Sequence, residues 1–136
     1  MSDIRAEDEA AIRAVLIDSY QAWDAGDADG MVADYAEGAT AIMTGSLRAG
    51  RDAIRDGMAL AFEGPLKGTS TRNKQLAIRF LGTDAAIVVT ESGILFPDQA
   101  EVPDAAKVNA TWVFEKRDGR WLIAAYHNSP VLAPVH

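Results

Sequence analysis

The 136-residue chain contains no cysteine, which excludes disulfide bridges, thiolate metal sites and cysteine nucleophiles. It is also short of positive charge: 13 Lys and Arg residues stand against 20 Asp and Glu residues, and the net charge is −7. Proteins that bind nucleic acid or anionic membranes through phosphate groups need a basic surface. The composition therefore favours a small-molecule ligand and predicts neither a nucleic-acid nor a membrane partner.

Signals of export and of cofactor chemistry are missing as well. Residues 1–5 lack the basic start and apolar core of a signal peptide, and no apolar run reaches membrane-spanning length, so we expect a cytoplasmic protein. The absence of Gly-x-Gly-x-x-Gly, Walker and Gly-x-Ser-x-Gly motifs leaves nucleotide-cofactor and serine-hydrolase functions without support. His127 and His136 are too far apart in sequence to form a metal-ligand pair by spacing. No cofactor and no metal are expected.

The first half of the chain has helical patterning. Apolar residues at i, i+3 and i+4 spacing from Ile12 to Trp23 predict a first helix. Gly26 can cap its C-terminus, and Asp27 can begin a short second helix that carries Tyr35 and ends at Gly38. A third apolar stripe between residues 51 and 63 predicts another helix, which Gly64-Pro65 terminates.

The second half has strand patterning. After a short β-prone segment at residues 40–43, four longer ones occupy residues 71–81, 85–96, 107–116 and 120–129. Helices followed by strands are typical of an α+β domain in which helices pack on one face of an antiparallel sheet. The length suits one domain, residues 1–136, with a core spanning about residues 8–130.

The last two strands flank Asp118-Gly119, the strongest short-range signal of a β-hairpin. A two-residue turn there pairs Arg117 with Arg120. Regular alternation then places His127 on the same face as Trp112 and Trp121, at the end of an apolar row. This histidine is either a buried structural residue or the polar group of a pocket.

Three segments in this order resemble the nuclear transport factor 2-like superfamily. They are residues 23–40 (WDAGDADGMVADYAEGAT), residues 50–54 (GRDAI) and the closing hairpin at residues 118–129 (DGRWLIAAYHNS). Within that superfamily the chain looks most like SnoaL-like proteins of the SgcJ/EcaC type, which belong to bacterial secondary metabolism. Its C-terminus also resembles the association domain of calcium/calmodulin-dependent kinase II.

The resemblance implies a cystatin-like cone, in which a curved antiparallel sheet wraps three N-terminal helices around an apolar cavity, and a homodimer formed through the outer sheet face. Ketosteroid isomerase relatives carry a catalytic tyrosine and a catalytic aspartate at the positions of Ser19 and Met43 here, so their mechanism is not expected. The kinase association domain carries no reaction, which shows that a histidine at the position of His127 does not certify catalysis. The expected outer face comprises Thr111, Val113, Leu122, Ala124 and Tyr126.

The candidate site residues follow from residue chemistry and from this implied cavity. A buried neutral His127 could act as a general base, and an inward-facing Glu91 as an acid or base near neutrality. Either residue could equally be structural or solvated. Aromatic side chains with a polar tip suit a cavity that buries and orients a ligand, although helical spacing also suits core positions. The ligand-binding candidates are Tyr20, Trp23, Tyr35, Met43, Asn109 and Trp112, and Arg72 belongs with Asn109 near the expected mouth.

Two functional hypotheses result. In the first, the protein binds an apolar, aromatic or polyketide-like metabolite and, in its catalytic version, carries out a cofactor-free proton transfer such as isomerisation, cyclisation or dehydration. In the second, it is a non-catalytic binding or assembly module that works through oligomerisation. The catalytic version requires His127 to converge with Tyr20, Glu91 or Asn109 in one cavity.

Overall fold

The computed structural model of the protein describes residues 2–132, with side chains described from residue 5 onward. The elements in chain order are α1 (Ser2–Asp24), α2 (Ala28–Met31), β1 (Tyr35–Met43), β2 (Ser46–Ala49), α3 (Arg51–Glu63), β3 (Ser70–Phe80), β4 (Ala85–Leu95), a 3₁₀ turn (Asp104–Ala106), β5 (Val108–Arg117) and β6 (Arg120–Pro130). None of the helices in the described part is long and apolar enough to cross a membrane. His136 lies outside the described residues.

The first helix forms as its apolar stripe predicts, with Ile12 and Leu16 buried in the core. Gly26 follows the helix with a φ of 68°, a conformation that favours glycine. The Asp27 carboxylate then accepts a hydrogen bond from the backbone N–H of Gly30, which caps α2. Both capping predictions are confirmed.

The predicted extent of the second helix is wrong. Helix α2 ends at Met31, and Tyr35 begins β1 instead of lying on a helix. The reason is a tertiary one: Tyr35 pairs with Ile123 of β6, and this pairing buries Tyr35, Ala36, Ala39 and Ala41. Sheet formation overrides the local helical pattern.

Six strands form one sheet in the order β2-β1-β6-β5-β4-β3. The sheet is curved and does not close, and the three helices complete the α+β architecture. All neighbouring strands are antiparallel except β1 and β6, which are parallel, so the sheet is mixed and not purely antiparallel as expected. The short strand β2 was not predicted.

The closing hairpin has the predicted turn. Asp118 and Gly119 have φ values of 52° and 77°, and Arg117 pairs with Arg120. Trp112 and Phe114 share the buried face with Trp121 and Ile123. Together with Ile12 of α1 and Ile54 of α3, these side chains form one core between the sheet and the helices.

Regular alternation breaks in β6, beyond Ile123. Phe114 pairs with Ile123 but Val113 pairs with Ala125, so Ala124 has no partner on β5 and forms a β-bulge. The extra residue reverses which side chains face inward over the rest of the strand. This bulge decides the chemistry of the site.

Candidate functional site

A cavity of about 220 Å³ lies between the C-terminal half of α1 and the inner face of the sheet. Helix α3, the segment after it and the 3₁₀ turn complete its wall. The residues that line it are Ser19, Tyr20, Trp23, Met31, Tyr35, Ala41, Met43, Arg48, Ile54, Met58, Leu66, Thr71, Asn73, Ser92, Gly93, Ile94, Ala106, Val108, Trp112, Tyr126 and Asn128.

Most of the predicted ligand-binding residues reach this cavity. Those in its wall are Tyr20, Trp23, Tyr35, Met43 and Trp112. Asn109 is an exception, because it is exposed and lies on the opposite face of β5 from its neighbour Ala110, which is buried. Arg72 is also exposed and outside the wall, where its guanidinium donates to the Ser70 hydroxyl and the Thr71 carbonyl.

His127 does not line the cavity, contrary to the expectation from alternation. The bulge at Ala124 turns Tyr126 and Asn128 inward and leaves His127 exposed on the outer face, between Thr111 of β5 and Ile42 of β1. The same reversal removes Tyr126 from the expected outer face. His127 therefore does not converge with Tyr20 or any other residue of the cavity wall, as the catalytic hypothesis required.

Glu91 also lies outside the cavity wall. Its neighbours on β4, Thr90 and Ser92, point inward, so Glu91 faces outward between Lys74 of β3 and Asn109 of β5. A carboxylate in that position has solvent and a cation beside it. It does not reach a compound bound in the cavity.

Three tyrosines are among the polar residues of the wall. Burial raises the pKa of Tyr20 and of Tyr35, and the proximity of Tyr126 adds to both shifts. Burial likewise raises the pKa of Tyr126, while a hydrogen bond from Asn128 acts in the opposite direction. All three phenols are therefore neutral at physiological pH and present O–H donors.

Trp112 lies between two of these tyrosines. Its ring centroid is 6.1 Å from that of Tyr20 and 4.5 Å from that of Tyr126. The indole N–H donates to the buried Thr90 hydroxyl at 3.1 Å, and the Thr90 and Ser92 hydroxyls are 2.9 Å apart. This chain of hydrogen bonds fixes the orientation of the ring that a ligand would contact.

Trp23, in the last turn of α1, is also fixed in orientation. Its indole N–H donates to the Thr69 hydroxyl at 3.0 Å, and its ring meets Phe62 of α3 edge to face at 5.4 Å. The segment at residues 97–107 is held down by Val102, which packs so closely on Gly93 that a Cβ at Gly93 would collide with it. These contacts shape the rim of the cavity.

Ser19 and Met43, the positions at which the isomerase relatives have catalytic groups, both lie in the wall. The Ser19 hydroxyl donates to the Met31 carbonyl at 3.0 Å, and the Met43 thioether offers no base. Within the described residues, no Asp, Glu or His side chain lines the cavity.

Six polar residues of the wall were not predicted as site residues: Arg48, Thr71, Asn73, Ser92, Tyr126 and Asn128. Tyr126 and Asn128 depend on the bulge, which has no local signal. Arg48 lies on β2, whose only signal is the pair of glycines, Gly45 and Gly50, that flank it. Over residues 2–132, no group of three His, Asp or Glu side chains is arranged to hold a metal ion.

Solved structures with the same fold have diverse functions. A domain of unknown function with a cystatin-like fold from Nostoc punctiforme has a TM-score of 0.87 and 28% identity, covering 93% of this chain and 79% of the other. A hexachlorocyclohexane dehydrochlorinase from Novosphingobium barchaimii has a TM-score of 0.81 and 16% identity, covering 100% and 97%. A protein from Thiobacillus denitrificans, described as a calcium/calmodulin-dependent protein kinase type II association domain, has a TM-score of 0.77 and 20% identity, covering 88% and 94%.

No curated protein matches the sequence at a significant level. The family model of the SnoaL-like domain, by contrast, matches residues 12–134. The fold of the solved structures agrees with this match, because they are described as cystatin-like and nuclear transport factor 2-like. The resemblance seen in the sequence is thus confirmed: the chain belongs to the SnoaL-like domain family and has the fold of nuclear transport factor 2-like proteins.

Proposed function

We propose that the protein binds a small compound of one or two rings that carries a hydrogen-bond-accepting oxygen. The observation that carries this proposal is the cavity of about 220 Å³, with its mainly apolar and aromatic wall and three phenols. An apolar protein cavity of about 150 Å³ is known to hold benzene. The present cavity has room for a substituted ring or a compact bicyclic compound, and not for a large polycyclic one.

The polar groups of the wall suit an oxygen acceptor. The Asn128 side-chain amide donates to the Tyr126 hydroxyl at 2.7 Å, which leaves the phenolic proton of Tyr126 available for a ligand. Tyr20 presents a second protonated phenol, and Trp112 offers a flat apolar surface. Each buried Å² of ring surface contributes about 25 cal/mol to binding.

The geometry favours binding over acid-base catalysis by the predicted groups. His127 and Glu91 face away from the cavity, so neither can move a proton on a compound bound there. Phenols can stabilise a developing oxyanion, and the dehydrochlorinase shows that the fold can house a reaction. For this chain we propose ligand binding as the primary activity.

The natural ligand that we propose is an aromatic or polyketide-like metabolite of bacterial secondary metabolism. Support comes from the SnoaL-like family membership and from the apolar wall. Fold alone does not specify a ligand, so mass spectrometry of compounds that co-purify with the protein is the direct way to identify it. The cytoplasmic location stays a prediction.

A binding experiment with a neutral probe tests the proposal. Acetylnaphthalene has two rings and one carbonyl acceptor, and its contact with Trp112 should quench tryptophan fluorescence. Ala41 lines the cavity, so Ala41→Leu should fill it and weaken binding by about tenfold or more. Ala125→Leu adds the same volume on the outer face, beside Val113, and should bind as wild type. Absence of binding to the wild type would contradict the proposal.

A second proposed property is a homodimer formed through the outer sheet face. With the bulge included, this face carries half-buried Ile87, Val89, Val113 and Ala125 on adjacent strands. Apolar residues on a sheet face without a covering layer are typical of an interface. The solved structure from Thiobacillus denitrificans supports the same interpretation, because it is described as an association domain.

A further inference from the structure

The arrangement of side chains on β2 is the reverse of what an apolar cavity requires. Arg48 faces inward and lines the cavity, whereas its neighbour Leu47 points outward and is 67% exposed. A strand that bounds an apolar space normally turns leucine inward and arginine to solvent. The orientation of β2 thus leaves the Leu47 side chain unburied and places the positive charge of Arg48 in the cavity wall.

This positive charge has no partner within the described residues. None of the ion pairs or side-chain hydrogen bonds found there includes Arg48, whereas Arg55, Arg117 and Arg120 each bond to a carboxylate. No carboxylate lines the cavity wall described above. A half-buried cation in a mainly apolar wall is stabilised when an anion binds beside it.

Helix α3 leaves space for the guanidinium. A Cβ on Gly57, in the interior of α3, would lie 2.7 Å from Cζ and 2.7 Å from Nε of Arg48. Glycine at such a position costs about 0.5–1 kcal/mol of stability relative to alanine. Here the glycine lets the Arg48 guanidinium lie directly against the helix backbone. This contact restricts the directions in which the guanidinium N–H groups can point.

The strand register shows what lies next to the guanidinium. Arg48 pairs with Ala41, Ala41 with Tyr126, and Tyr126 with Trp112, so these inward residues form one row across four strands. Ala41 is the smallest member of the row and leaves a gap about two strand spacings wide, roughly 9–10 Å, between Arg48 and Tyr126. A ring in that gap would contact Tyr126, whose own ring packs against Trp112, while its substituent meets Arg48.

We infer that the ligand of this cavity is an aromatic carboxylic acid whose carboxylate is bound by Arg48, in the notch made by Gly57. This inference rests on the proposed function and adds the charge of the ligand to it. The planar guanidinium matches a carboxylate with two parallel hydrogen bonds, a geometry that a lysine cannot reproduce. The net charge of −7 opposes unspecific binding of anions elsewhere on the surface.

Two probes of the same shape test the inference. Naphthoate and acetylnaphthalene, substituted at the same ring position, differ in whether the carbonyl carries an anionic oxygen or a methyl group. We expect the wild type to bind naphthoate roughly 10–100-fold more tightly at low ionic strength, as hydrogen bonds to a charged group predict. Isothermal titration calorimetry measures both affinities.

Variants assign the preference to Arg48. Arg48→Gln should abolish the preference for naphthoate and lower the affinity for acetylnaphthalene much less than that for naphthoate. Arg79→Gln removes the same charge from an exposed position outside the cavity and should behave as wild type. Gly57→Ala should weaken naphthoate binding without lowering the melting temperature, because only the flexible end of Arg48 has to move.

The outcomes separate this inference from the proposed function. Equal affinity of the wild type for the two probes would contradict the proposal that Arg48 binds a ligand carboxylate, and so would a preference for naphthoate that survives in Arg48→Gln. Either result would leave the proposal of ligand binding in the cavity intact. Failure of both probes to bind would overturn both proposals. A selective loss of naphthoate binding in Arg48→Gln and Gly57→Ala would establish the inference.

Discussion

The tyrosines of this protein report on the cavity alone, because all three tyrosines of the chain, Tyr20, Tyr35 and Tyr126, lie in its wall. Burial raises the pKa of each above the usual value of about 10. At pH 10 the native protein should therefore show little tyrosinate absorbance. The same chain unfolded in urea should show roughly half of its tyrosine ionised at that pH.

The raised pKa values also predict how stability depends on pH. A phenol whose pKa is higher in the folded state than in the unfolded state makes its full contribution to stability at any pH below the pKa of the unfolded state. That contribution to stability is lost as the pH rises through the pKa of the folded state. Each such phenol lowers the free energy of unfolding by about 1.4 kcal/mol per pH unit, so three together remove up to about 4 kcal/mol per unit above pH 10. A domain with about 5–15 kcal/mol of stability should unfold within a few pH units.

The assay follows tyrosinate absorbance and far-ultraviolet circular dichroism during one alkaline titration. Tyrosinate and loss of secondary structure should appear together. Tyr20→Phe and Tyr126→Phe should each reduce by about a third the rate at which the free energy of unfolding falls with pH. Because all variants have the same lysines, the comparison between variants removes the contribution of lysine titration. Tyrosinate that appears near pH 10 while the dichroism stays native would refute the reasoning, because it would show solvated phenols.

Two further predictions concern stability and assembly. Asp8 of α1 accepts hydrogen bonds from the Trp121 indole at 3.0 Å and the Lys116 ammonium at 3.3 Å, and the bond from Trp121 lowers the pKa of this carboxyl. Asp8→Asn should cost about 1–3 kcal/mol in urea unfolding at pH 7. The difference should narrow below about pH 4, where the Asp8 carboxyl takes up a proton in the unfolded chain while the lowered pKa keeps it ionised in the folded protein. Val113→Glu on the outer face should convert the proposed dimer into monomers, as measured by light scattering coupled to size-exclusion chromatography.

Matched variants control these two experiments. Asp18→Asn makes the same change at an exposed carboxylate on the same helix and should leave stability within about 0.5 kcal/mol of wild type. A wild-type-like Asp8→Asn protein would contradict the role given to the Trp121 bond. Leu47→Glu places the same charge on the exposed edge strand β2 and should not alter the assembly state. A Val113→Glu dimer would argue against the outer face as the interface.

Local patterns were sufficient where structure is local. The starts of the second and third helices, the strands after residue 70 and the Asp118-Gly119 turn each follow from neighbouring residues, so they could be predicted. The first helix was predicted from Ile12 onward, but α1 begins ten residues earlier, at Ser2. Tyr35 could not be assigned to a strand, because its place in β1 comes from pairing with Ile123, which is 88 positions further along the chain. Strand β2 is too short to have a periodic signal of its own.

The site divides in the same way. Large aromatic residues such as Tyr20 and Trp112 could be predicted to line a cavity, since a ligand and a core both require apolar surface. The identity of the polar residues could not, because Ala124 lies between two partner strands and its bulge arises from their combined register. Because Ala124 is unpaired, Tyr126 and Asn128 line the cavity and His127 does not.

That exchange changes the class of chemistry available. An inward His127 would have given the cavity a group that gains and loses a proton near neutral pH, and binding would then vary over the physiological range. Phenols with raised pKa values keep one protonation state over that range. Selectivity must therefore come from the shape of the cavity and from the charge of the ligand. For an aromatic acid, affinity should stay constant from about pH 6 to pH 9 and fall only as the pH drops toward the pKa of the ligand carboxyl, about 4.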